Sequence, residues 1–189
     1  MAYNIKDVFY LSTSATIAAT TANGGSAQLD LSAYIDPIAR GRTKGTGLAI
    51  YKCHFNVLHS NSDPIDDAES GVFSYGLQAG LGVGDIATGG LTTTADAYSM
   101  TNALLIESGA FYGPKSQIAN ASTPVSMFPN TAVKPSKDVP YVVVRDNVCL
   151  TYNVMEQMID ETVLSVRLEC AQISLDQATL NQLLRTQTV

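Results

Sequence analysis

Tryptophan is absent from the chain, and charged side chains make up only 15% of its 189 residues, well under the roughly 25% of an ordinary soluble domain. The missing tryptophan counts against a carbohydrate-binding module, although nine tyrosines are there to supply stacking platforms. The shortage of charge, with Thr, Ser, Ala and Gly plentiful, suits a surface buried against other protein copies; a mildly polar monomer is the competing reading. Basic residues cluster only in Arg40-Gly41-Arg42-Thr43-Lys44, and the net charge is −6. A nucleic-acid module needs a basic face, so there is no strong nucleic-acid-binding signal, and the short run reads as a solvated turn.

No apolar run approaches the roughly 18 residues of a membrane-spanning helix. The start Met1-Ala2-Tyr3-Asn4-Ile5-Lys6-Asp7 lacks the basic and then apolar regions of a secretory signal, so the expectation is folding in a reducing cytoplasm. The match of Asn120-Ala121-Ser122 to the glycosylation sequon then reads as chance. Cys53, Cys149 and Cys170 are few, odd in number and widely spaced, and each falls inside an expected strand; they read as reduced core thiols.

Catalytic signatures are missing as well: there is no Gly-x-Ser-x-Gly elbow, no His-Glu-x-x-His, no paired Cys-x-x-Cys and no Walker loop. Gly80-Leu81-Gly82-Val83-Gly84 fails the dinucleotide fingerprint because its third glycine comes one position early and no helical pattern follows. His54 and His59 are an odd number of positions apart, so on one regular strand they point to opposite faces and cannot share a metal; both are expected to face solvent. Asp63, Asp66, Asp67 and Glu69 crowd one loop, but their spacing departs from the EF-hand, and an acidic surface loop is the reading. Glu156, Asp160 and Glu161 read as solvated acids of a turn. No catalytic, cofactor-binding or metal residue is assigned, and the chain does not read as an enzyme.

What the sequence does contain is strands. Val148, Leu150, Tyr152 and Val154 alternate with polar neighbours, and after a turn Leu164, Val166, Leu168 and Cys170 alternate with Ser165, Arg167 and Glu169. Residues 48–58 offer Ala49, Tyr51, Cys53, Phe55 and Val57 as an inward set, and residues 72–83 offer Phe73, Tyr75, Leu77, Ala79, Leu81 and Val83. Residues 26–31 form a shorter strand, ended by Pro37. Residues 1–25 are taken as an N-terminal arm or edge strand, and residues 26–189 as a single β-sandwich domain. The spacing of Ala97, Met100, Leu104 and Leu105 predicts a short inserted helix stopped by Gly109. Residues 110–139, with four prolines, read as a long connection containing one short strand near 124–128. Ser174 and Gln177 have capping-box spacing for a C-terminal helix with Leu180, Leu183 and Leu184 on its apolar stripe. No repeat of roughly 20–50 residues occurs.

The fold class is therefore all-β, a jelly-roll-like sandwich or barrel with one short inserted helix and a short C-terminal helix. The layout of strands at 26–31, 48–58, 72–83, 141–154 and 162–175, with the helix near 96–107 as an insertion, resembles that of single jelly-roll viral capsid proteins. That resemblance implies a capsid protein made in the host cytoplasm and located in the virion, a homo-oligomer that self-assembles into a shell with copies of itself and with other virion proteins. Other structural subunits, of a phage tail, a spike or a surface layer, and a carbohydrate-binding β-sandwich are the alternatives.

Overall fold

The computed structural model describes residues 8–36, 44–80, 98, 102–115 and 134–187. Among these the chain forms β1 (Phe9–Ile17), β2 (Gly24–Asp30), β3 (Lys44–His59), β4 (Val72–Ala79), β5 (Leu105–Tyr112), β6 (Tyr141–Val143), β7 (Asn147–Glu156), β8 (Thr162–Asp176) and one helix, α1 (Gln177–Gln187). The strands make two antiparallel sheets of four, ordered β1-β8-β3-β6 and β2-β7-β4-β5. First pairs with last, second with seventh, third with sixth and fourth with fifth. A chain doubled into one long hairpin gives those four pairings, and rolling the hairpin adds the contacts β3·β8 and β4·β7. This is the jelly roll, two Greek keys wound into a sandwich.

The inner faces bury one continuous core. From β8 it takes Leu164, Val166, Leu168 and Cys170, from β7 Val148, Leu150 and Val154, and from β4 Phe73, Leu77 and Ala79. Burying each large side chain contributes about 1.5–3 kcal/mol. Leu168 is 0% exposed while its neighbour Arg167 is exposed, as the alternation requires.

On β3 the alternation reverses. The register against β8 slips between Ile50 and Lys52, making Tyr51 the extra residue of a β-bulge. Leu48 and Ile50 face the inner core before it, and Cys53, Phe55 and Val57 after it. Ala49 and Tyr51, expected inward, lie on the opposite face. There they join Val144, Ala171, Ile173, Leu175 and Leu180 in a second cluster beneath α1, with Leu183 and Leu184 packed against it. An added residue changes the parity of a two-residue repeat, which no single-strand pattern reveals.

Other expectations need correcting. Residues 105–107 are not the end of a helix: they open β5, which pairs Phe111 with Phe73 and Gly109 with Tyr75. Gly109 gives the Tyr75 ring room rather than stopping a helix. Of the earlier part of that helix only Tyr98 is described, as a turn residue. Residues 110–112 likewise belong to β5 and not to a connection. Residues 141–154 are two strands in different sheets, separated by a corner whose Asp146 carbonyl accepts the Leu31 N–H at 2.6 Å. β4 ends at Ala79, and Gly80 follows at φ +86°, where a glycine is favoured. The α1 cap is Asp176, whose Oδ1 accepts the Thr179 N–H at 2.7 Å; Ser174 lies within β8, paired with Thr46. The other end of α1 is tied down by Gln187, 3% exposed: its Oε1 accepts the Val144 N–H at 3.1 Å and its Nε2 donates to the Val142 carbonyl at 2.6 Å.

Candidate functional site

A concavity of about 780 Å³ lies on the outer face of β1, β8 and β3. Because the three strands are in register, its floor is a grid of side chains. Ser12, Arg167 and His54 form one row, and Ser14, Ser165 and Asn56 the next. Tyr10, 61% exposed, and Glu169 flank the first row. His54 Nε2 sits 2.8 Å from Glu169 Oε1. The hydrogen bond from His54, with help from the charge of Lys52, holds the Glu169 carboxyl below the ordinary carboxylate range. Arg167 stands between these residues as the central cation, and among the described residues nothing pairs with it.

Chemically this face offers donors, acceptors and a cation, but no nucleophile with its base. Ser12 and His54 are two strands apart, about 9.6 Å at the usual strand spacing. Ser165 Oγ donates to the Asn56 carbonyl at 3.4 Å and so is already engaged. The thiols are equally inert. None of the three is in a disulfide, and all are buried. Burial, helped by the nearby Glu107 carboxylate, pushes the Cys53 thiol well above its ordinary value, and burial pushes Cys170 up to about 12.

A second recess, about 530 Å³, opens beside Tyr51, Lys52, Cys53, Glu107 and Lys134. Glu107 is 5% exposed and pairs with Lys134 Nζ at 3.2 Å. Sequence reasoning missed this pair because it placed Glu107 in a helix. The missed signal is the burial of Leu104, Ile106 and the partly buried Phe111 on the core side, which fits a bulged strand.

The acidic loop departs from expectation at one residue. Asp63, Asp66 and Asp67 are exposed as expected, but Glu69 is buried at 1% exposure. Its carboxylate accepts N–H groups from Gly71 at 2.6 Å, Ile159 at 3.1 Å and Asp160 at 3.5 Å, so it ties this loop to the turn between β7 and β8. His59, expected in solvent, is only 9% exposed at the end of β3 because the β7–β8 turn packs beside it, while His54 is exposed. Glu156, Asp160 and Glu161 are exposed. Arg40, Arg42, Gly82, Gly84, the sequon at Asn120 and the expected strand near 124–128 lie outside the described residues. No helix among the described residues is long and apolar enough to cross a membrane.

No protein-family model matches the chain, and no curated protein matches it in sequence. Among solved structures it is similar to human polyomavirus 12 VP1 in complex with 3′-sialyllactosamine, with 10% identity and a TM-score of 0.43 over 90% of this chain and 100% of that one, a likeness too distant to carry a conclusion about this protein.

Proposed function

We propose that the protein is a structural subunit that self-assembles, a viral major capsid protein that builds a shell through contacts between loops, termini and strand edges of neighbouring copies. The observation that carries this reading is where the exposed apolar side chains sit. Val8 and Tyr10 lie at the start of the edge strand β1, Tyr112 at the end of the edge strand β5, and Val139 just before the edge strand β6. Met155, 63% exposed, and Ile159 lie around the β7–β8 turn. Sheet edges and sandwich ends are where another copy can bury apolar surface. The low charge of the chain and the lack of a nucleophile–base pair on either recess support the same reading.

In this reading residues 26–189 act as the single sandwich domain, residues 1–25 add the arm or edge strand, and the protein is made in the host cytoplasm and resides in the virion. Its partners are copies of itself and other virion proteins, and it is not an enzyme. Sedimentation at micromolar concentration, followed by negative-stain microscopy, tests it: shells, or capsomer-sized oligomers, are expected. A 20 kDa monomer at every concentration, with none of the protein in larger particles from its source, overturns it. The polar concavity with exposed Tyr10 favours one other reading, a carbohydrate-binding sandwich. Saturable glycan binding by a monomer, lost in Arg167→Ala, would select that reading instead.

A further inference from the structure

His59 closes β3, Asp66 stands in the loop that follows, and Asp160 stands in the turn between β7 and β8. An imidazole nitrogen of His59 and one oxygen of each carboxylate lie within 4.8 Å of one another. Two features hold the three together. The strand register pairs His59 with Thr162, which brings the turn alongside the loop. The buried Glu69 carboxylate then fixes the backbone of Ile159 and Asp160 from the loop side.

The donors are incompletely used. His59 is 9% exposed, and its Nδ1 is shielded from solvent with no hydrogen-bond partner among the described residues. Its Nε2 accepts the Asp66 N–H over a long 3.4 Å. One Asp66 oxygen accepts the Ala68 N–H at 3.0 Å, leaving the other available. No donor among the described residues reaches the Asp160 carboxylate. A buried imidazole with an unmet nitrogen beside two under-used carboxylates is the pattern of a ligand set rather than of a solvated acidic loop.

We propose that His59, Asp66 and Asp160 bind a divalent transition-metal ion of the zinc or manganese class, which clamps the β3–β4 loop to the β7–β8 turn. The two carboxylates neutralise the charge of the ion. The imidazole separates this set from the all-oxygen shells of calcium and magnesium. Tetrahedral ligands at about 2.0–2.1 Å from zinc lie about 3.3 Å apart, so the group contracts by at most about 1.5 Å. Asp66 and Asp160 are exposed and free to swing inward, whereas the backbone that carries Asp160 is already tied by Glu69. Three protein ligands leave the remaining positions to water, and the role assigned to the ion is to cross-link the two segments.

Isothermal titration of the chelator-treated full chain with ZnCl2, MnCl2 and CaCl2 tests this. One equivalent of zinc or manganese is expected to bind at micromolar or tighter Kd, with calcium much weaker. Asp160→Asn, a change at an exposed site, and His59→Gln should each weaken binding by at least about tenfold. Asp67→Asn, in the same loop but outside the ligand set, should leave it unchanged. Co(II) absorption in the visible range should appear on loading the parent and vanish in Asp160→Asn. Absence of saturable zinc and manganese binding overturns the proposal. So does Asp160→Asn binding as tightly as the parent, an equal loss in Asp67→Asn, or a preference for calcium.

Discussion

The two halves of β8 share one strand but not one environment. Along its first half, Leu164 to Cys170 face the inner core, and Ser165, Arg167 and Glu169 line the open polar concavity. Along its second half, Ala171, Ile173 and Leu175 on the outer face are apolar and need α1 as a cover. The neighbouring strand changes with it: the bulge at Tyr51 on β3 falls opposite the junction between Glu169 and Cys170. One sheet thus has a bare outer face at one end and a roofed one at the other, and a single inserted residue lets β3 serve both. The bare end is left open, whereas the roofed end is committed to the chain itself.

The largest expected effect lies in the inner core. Leu168→Ala should destabilise by about 3–5 kcal/mol, because the transfer free energy of the lost atoms adds to the cavity they leave. Urea midpoints on unassembled protein measure it. Leu180→Ala under the roof should cost less, about 2–3 kcal/mol, since the end of a sandwich relaxes more readily than its middle. Hydrogen exchange should then show the α1 amides opening while the β8 amides near Leu168 stay protected. If both variants lowered protection everywhere alike, the two clusters would be one cooperative core and the division drawn between the halves would fail.

A smaller effect concerns the start of the roof. Hydrogen bonding from the Thr179 N–H, with Lys44 as a minor aid, holds the Asp176 carboxyl below its ordinary value of 3.8. Its capping contribution is therefore present above that value and fades as the pH falls through the lower value of the folded state. Helical circular dichroism should decline below about pH 3.8 in the parent. Asp176→Asn, which keeps the cap without the charge, should show a shallower decline. Least of all, Arg167→Ala on the bare half should change the stability of unassembled protein by no more than about 0.5 kcal/mol. A larger loss there would mean that Arg167 faces inward and that the register is displaced by one.

How much of this was legible in the sequence follows from the same contrast. β8 and β7 could be read because one face of each is wet or polar over most of its length, so the two-residue period shows. The first half of β3 could not, because both of its faces are buried and Tyr51 shifts the period. β5 was read as helix because Leu104 and Leu105 are adjacent apolar residues, and only pairing with β4 decides between the two periods. α1 was legible from Leu180, Leu183 and Leu184, though its cap was placed two residues early because β8 runs on to Asp176. The meeting of His59 with Asp160 was not legible, since it depends on a turn and a loop remote in sequence being set side by side by strand register.

The amide of Gln187 has a consequence for how such a sheet could grow. An unguarded strand is a template that recruits further strands, and polymerisation then has no natural end. By occupying the Val142 carbonyl and the Val144 N–H, which point the same way from the chain, Gln187 acts as a one-residue terminator on β6. Elongation is blocked at that margin and remains open at the opposite one, β1. A sheet with one live end and one sealed end can pair only live end to live end, which stops at two copies and excludes the indefinite fibre.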